Sequence, residues 1–257
     1  MNNNLSIMNY LNIPERCLIS QKITKKVLLE NAELKASFKK VVRDDIQEMF
    51  IVASITPETA NINTFIDETY CFDEIHLLHT TLKKREAYPK AAEILQSSIP
   101  YSLIILFQYE EEFCFSVADK RINQVENDKR VINNYIFSEW LTETDSNFLK
   151  FLETISFTKL SHLDLKAFYG DVVNKLYNLN TSQITGQFDV KSKQDTAEDV
   201  IILRKIKELN AQLISLKSNY KKEINYNEKV NLNIKIKKLE QQSNEFNHKL
   251  LNRKITK

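Results

Sequence analysis

The chain has 257 residues, with 36 Lys and Arg against 34 Asp and Glu, so its formal net charge of +2 selects no partner. A content of 42% hydrophobic and 10% aromatic residues is enough to bury a core and excludes an intrinsically disordered chain. Only two glycines are present, Gly170 and Gly186, which excludes a P-loop, a GxGxxG fingerprint and a GxSxG elbow, because each needs glycine where backbone meets a ligand or takes positive φ.

In chain order, the opening Met-Asn-Asn-Asn-Leu has neither the basic region nor the apolar stretch of a signal peptide. Cys17, Cys71 and Cys114 are odd in number and have no CxxC spacing, so a reducing cytoplasm is expected. Leu34, Phe38, Val41 and Val42 share one face of a helix expected from about Glu33 to Glu48, and the apolar density of Met49 to Thr56 then suits a buried strand ended by Pro57. Tyr70 to Leu82 reads as a second strand, Pro89 to Ser98 as a short helix, and Tyr101 to Tyr109 as a central strand. The longest apolar run, around Ile99 to Phe107, is too short to span a bilayer, and no membrane partner is expected.

Glu110 to Glu112 form a charged turn, after which Phe113, Phe115 and Val117 alternate with Cys114, Ser116 and Ala118, which predicts a hairpin. Val131 to Trp140 is a further strand. Asp145 caps a helix carrying Phe148, Leu149, Leu152 and Ile155, and Asp164 caps one carrying Leu165, Phe168, Val172 and Leu176. The predicted fold is α+β: a mixed or antiparallel sheet with flanking helices over residues 1–180, a polar linker at 181–195, and a helical hairpin or coiled coil at 196–257.

Charge divides along the same line, with +8 on residues 199–257 and −6 on residues 1–198. Ile202, Ile206, Leu209, Leu213, Leu216 and Tyr220 repeat at alternating spacings of four and three, as do Leu232, Ile236, Leu239, Ser243, Phe246 and Leu250. The two seams do not connect in one register. The break at Glu223 to Asn227 fits either a hairpin or one long helix with a stutter, and the hairpin is favoured because each stripe then covers the other. Thr196 with Asp199 resembles a capping box opening the first arm.

His76 and His79 are the best metal-ligand types, yet on a strand three residues apart they face opposite sides and cannot share an ion; they are expected on a half-exposed sheet. A PD-(D/E)xK nuclease would need an acidic residue near Asp or Glu-x-Lys on a strand. The matches are Glu33-x-Lys35 and Asp164-x-Lys166 in expected helices and Asp189-x-Lys191 in the expected linker, leaving Asp73, Glu74, Asp119 and Lys120 as strand-borne groups that would have to converge. Cys71 and Cys114 read as packing rather than nucleophiles, and no local signature marks a Ser/His/Asp set. No catalytic residue, metal or cofactor is assigned. The candidate nucleic-acid backbone contacts are Lys83, Lys84 and Arg85, Lys120 and Arg121, and Lys129 and Arg130 at strand ends that gather at one rim. Lys235, Lys237 and Lys238, with Lys221, Lys222 and Lys229, add a basic face in the tail.

Leu11-Asn12-Ile13-Pro14, Ile23-Thr24-Lys25-Lys26 and the run Ser54 to Ile62 resemble the start of the bacterial domain-of-unknown-function family DUF4391. Glu74-Ile75, Ile99-Pro100-Tyr101, Ala118-Asp119-Lys120-Arg121, Lys222-Glu223, Asn227, Lys229-Val230, Leu232-Asn233 and Lys238-Leu239 resemble its later blocks. Where an acidic residue before the Lys is expected late in the second strand, this chain has Thr80 and Thr81 before Leu82 and Lys83. The resemblance implies genes encoding helicases and DNA methyltransferases as neighbours, in restriction-type or phage-defence operons. The expectation is therefore a non-catalytic accessory subunit that binds a helicase or methyltransferase through Ile202, Ile206, Leu209, Leu213, Leu216, Leu232, Ile236, Leu239, Phe246 and Leu250. Its DNA contact would be weak and sequence-independent. The alternatives are a divergent metal-dependent nuclease and a structural protein that forms a homo-oligomer through its coiled coil.

Overall fold

The computed structural model describes residues 6–31, 34–126 and 130–253. The chain divides into two compact units, Met1–Leu176 and Tyr177–Lys257.

In the first unit, α1 (Ser6–Leu11) and a 3₁₀ turn lead into β1 (Leu18–Lys22), followed by α2 (Lys25–Asn31) and α3 (Ala36–Lys40). A π turn, Val41–Asp45, then gives way to β2 (Ile46–Ile55). The helix expected to reach Glu48 is thus cut short at Asp45, and Ile46 and Met49, three residues apart, are both buried in β2 because its pairing with β5 shifts register between Ile46 and Glu48. Glu33 lies outside the described residues. Thr56 caps α4 (Pro57–Ala60) in a reciprocal capping box with Thr59.

The expected strand Tyr70 to Leu82 is interrupted at Asp73 and Glu74. Its first part, β4 (Cys71–Phe72), pairs with β3 (Phe65–Ile66), and its second part, β5 (Ile75–Leu82), enters the main sheet. From β5 the chain passes through α5 (Tyr88–Ser98) to β6 (Ser102–Tyr109), β7 (Glu112–Ile122) and β8 (Arg130–Phe137). The six-stranded order is β1-β2-β5-β6-β7-β8, and β5 and β6 are its parallel pair. That pairing follows from α5, because a helical crossover returns the chain to the same end of the sheet. The β6–β7 hairpin turns through Glu110 at φ 53°, so a glutamate occupies a position that favours glycine or asparagine.

Both faces of the sheet are covered. On one, Leu78, Leu103, Ile105 and Phe107 pack with Ala91, Ile94 and Leu95 of α5 and with Val41, Val42 and Met49. On the other, Leu77, Ile104 and Phe115 meet Leu11, Phe157, Phe168 and Val172 around a void of only about 30 Å³. Leu11 ends α1, Phe157 lies in the 3₁₀ turn after α6 (Ser146–Thr154), which Asp145 caps, and Phe168 and Val172 lie on α7 (Leu165–Thr185), whose Ala167 N–H is received by Asp164. At one edge, β1 exposes all five residues and carries a bulge between Leu18 and Gln21, with Ser20 at φ 54°.

In the second unit α7 continues to Thr185, with Asn178, Thr181 and Ser182 buried, and Gly186 turns the chain at φ 79°. The stretch 181–195 thus contains the end of one helix and the start of the next. Helix α8 (Lys193–Lys222) is capped by Ser192, whose Oγ accepts the Asp195 N–H, rather than by Thr196. Thr196 is buried and accepts from Asn178 Nδ2 at 2.8 Å. Helix α9 (Tyr226–Leu251) runs back along α8, so the tail is a hairpin.

Candidate functional site

The hairpin seam is built from the predicted positions. Ile202, Ile206, Leu209 and Leu213 on α8 and Ile236 and Leu250 on α9 are buried, whereas Leu216, Leu232, Leu239 and Phe246 are half-buried. Tyr220 is exposed. The two stripes cover one another, as the four-three spacing requires, and Ser243 bonds Asn210 across the seam at 3.3 Å. These ten residues therefore face one another within the chain, and the surface that the hairpin leaves open is its outer one.

That surface has a defined end. Glu223 Oε1 accepts the N–H groups of Ile224 and Asn225, both at 2.8 Å, and Asn225 Oδ1 accepts those of Asn227 and Glu228, capping α9. The two backbone donors hold the Glu223 carboxyl below the usual carboxylate range. Around this turn Ile224 is 92% exposed and Tyr226 78%, and Val230 and Ile234 follow Tyr226 at four-residue intervals on one face of α9. Lys221, Lys222, Lys235, Lys237 and Lys238 are exposed, and Lys229 lies over the Tyr220 ring. At the other end of α8, buried Asp199 is held by Lys191 Nζ at 2.6 Å and Arg253 Nε at 2.5 Å, with Glu198 on the same guanidinium at 2.6 Å. Sequence reasoning missed this cluster.

The basic strand ends divide between two rims. Lys83, Lys84 and Arg85 follow the C-terminal end of β5. Strand β7 runs antiparallel to β6, so Lys120 and Arg121 lie at the opposite rim, beside Arg130. Lys129 lies outside the described residues. Lys84 pairs with Asp45 at 2.8 Å, and Arg85 grips Glu112 with two nitrogens while covering the Trp140 ring. Arg121 reaches Asp119 at 3.6 Å and the Tyr70 ring. Lys120 is buried, donating to the carbonyls of Ile99 at 2.7 Å and Tyr101 at 2.6 Å. Desolvation, with the Arg130 cation second, pushes its ammonium down to about 7.

The histidines face opposite sides, as alternation demands, but both are buried rather than half-exposed because helices cover both faces of the sheet. His79 Nε2 meets Gln108 Oε1 at 2.8 Å, and burial lowers its pKa. His76 Nε2 meets Glu74 Oε1 at 2.6 Å, and that oxygen also accepts from Ser54 Oγ. Asp119 is engaged by Asn133 at 3.0 Å. Among the described residues, no three His, Cys, Asp or Glu side chains are grouped to hold a metal ion. Asp164 is a helix cap and Lys191 is bound to Asp199, so neither of their triplets lies on a strand. Cys114 Sγ points to Ser138 O at 3.3 Å, and burial pushes its thiol up to about 12, which makes it packing rather than nucleophile.

The family described as "Domain of unknown function (DUF4391)" matches residues 11–242. The chain belongs to this family. No curated protein and no solved structure matches it. No helix of the described residues is long and apolar enough to cross a membrane.

Proposed function

We propose that the chain is a non-catalytic accessory subunit of a bacterial, cytoplasmic DNA-targeting assembly of the restriction or phage-defence kind. Its hairpin docks a helicase or DNA methyltransferase, and its lysines lie against DNA backbone. The observation that carries this reading is the outer stripe Tyr226, Val230 and Ile234, beside Ile224, left exposed by a hairpin whose own seam is filled. Exposed apolar side chains at four-residue spacing, rimmed by lysines, suit a partner with an apolar groove and acidic margins. The operon neighbours supply the partner class, through the resemblance of the sequence blocks.

The test is coexpression of the tagged chain with the helicase and methyltransferase of its own operon. Recovery of either with the native chain, and its loss on combining Tyr226→Ser with Ile234→Ser, is the expected result. Recovery of the chain only as a dimer, or retention of the partner by the double variant, turns the assignment to self-association or to another surface.

A further inference from the structure

A cleft of about 370 Å³ opens on the α5 side of the sheet, between the segment that follows β1 and the end of α5. This is within the size range of small-molecule sites. Ile23, Val27, Leu28 and Ile51 give it apolar walls, and the Tyr101 ring lies 4.9 Å from the imidazole of His76. Two buried polar atoms on its lining residues lack a hydrogen-bond partner among the described residues: His76 Nδ1 and Ser98 Oγ. His76 is only 7% exposed, and Ser98 is half-buried.

The tautomer of the neutral imidazole is set from behind. Glu74 Oε1 faces Nε2 at 2.6 Å, so in the neutral ring Nε2 carries the proton and donates it, which leaves the Nδ1 lone pair as an acceptor. Ser54 Oγ bonds the same carboxylate oxygen and holds it in place. Lys120, donating to the carbonyls of Ile99 and Tyr101, braces the wall that contains both residues. Lys22, the charged residue of the lining, is paired with Glu48 at 3.4 Å. Buried polar groups are ordinarily satisfied, and two orphans on one preformed cleft point to a missing occupant.

We propose that this cleft binds a small neutral molecule with a planar amide edge, an N–H beside a C=O, on an apolar body. The N–H would be received by His76 Nδ1, and the carbonyl would accept from Ser98 Oγ. Lactams and lactam-type heterocycles have this edge. Charge argues for neutrality, because the lining cation is already paired and the Glu74 carboxylate is engaged by His76 and Ser54. Glu74 acts as a positioning residue, selecting the imidazole tautomer without touching the ligand. The site lies in the first unit and does not depend on the proposed role of the hairpin.

The experiment uses the full chain with ¹⁵N-labelled histidine and two probes, 2-pyridone and N-methyl-2-pyridone, followed by NMR at the His76 ring nitrogens. Saturable movement of Nδ1 by 2-pyridone, with the N-methylated probe at least about tenfold weaker for want of its donor, is the expected result. Ser98→Ala, at the last residue of α5, should weaken 2-pyridone severalfold without altering the fold. Glu74→Gln should weaken it about tenfold and change the Nδ1 to Nε2 proton distribution, which a purely structural role would not do. No movement with either probe, equal movement with both, or saturation unchanged in Ser98→Ala and Glu74→Gln would overturn the assignment and leave a cleft filled by water.

Discussion

The sheet unit and the hairpin are held together differently. Strands β5 and β6 are buried on both faces, and polar groups inside that unit are tied to backbone. Tyr169 Oη bridges Leu103 O and Ala118 at about 3 Å, and Lys175 Nζ donates to Thr154 O and Lys159 O. The hairpin instead has one narrow seam, half-buried along much of α9, and a cluster of charges at its base around Asp199. Cohesion in the first unit is spread over many apolar contacts. In the second it depends on a few residues whose loss is not shared out.

Changing Leu209 and Leu213 together to Asp should have the largest effect, placing two charges in the hairpin's apolar seam and unfolding the hairpin at a cost above about 4 kcal/mol. Circular dichroism should show lost helix while amide exchange in β6 stays slow; unchanged helicity would break the contrast. Next, Asp199→Ala removes the buried carboxylate that Lys191 and Arg253 share, though Arg253 keeps Glu198, and should cost about 3 kcal/mol, because removing one partner of a buried ion pair is strongly destabilising. Denaturant unfolding should lose stability in the hairpin, and a cost below about 1 kcal/mol would place its cohesion in the seam alone.

A smaller effect sharpens the contrast from the sheet side. Lys120 has a folded pKa near 7 and an unfolded one near 10.5, so between these values the unfolded chain holds a proton that the folded chain has released. The stability of the native chain relative to Lys120→Met should therefore rise as pH increases through that window, on the order of 1–2 kcal/mol between pH 7 and 9. A flat difference would mean that the carbonyls of Ile99 and Tyr101 keep the ammonium charged. The smallest stability change, within about 0.5 kcal/mol, is expected for exposed Lys235, Lys237 and Lys238 changed together to Glu. That variant should nonetheless lose most retention on duplex or single-stranded DNA, for which backbone contacts by the native chain are expected to give roughly 10⁻⁴ to 10⁻⁶ M. Equal binding would remove the hairpin as a nucleic-acid surface.

The legible parts of the fold were those with a period. The β6–β7 hairpin, α5 and both arms of the tail announced themselves by alternation or by four-three spacing, and the break near Asn225 was visible as poor helix propensity. Other features leave no such trace. Strand β1, Leu18-Ile-Ser-Gln-Lys, is exposed throughout and shows no buried face to read. Parallel pairing of β5 with β6 could have been inferred from the helix between them, and the same reasoning places Lys120 away from Lys83, since an antiparallel strand carries its end to the other rim. The Asp199 cluster joins residues 191, 199 and 253, a neighbourhood that only the folded hairpin creates. The seam was found by spacing, whereas the outer stripe Tyr226, Val230 and Ile234 was overlooked because a single face was sought on each arm.

The irregularity in β1 bears on how the protein behaves in a crowded cell. A sheet edge with free backbone donors and acceptors is a template on which another chain's strand can grow, and Leu18 and Ile19 there are each nearly half exposed. The bulge between Leu18 and Gln21, with Ser20 turned to positive φ, breaks the even ladder that an incoming strand would need. Lys22, charged and 58% exposed, guards the end of the same strand. The edge is thereby closed to runaway stacking, and the sheet stays a finished unit rather than a seed for a longer one.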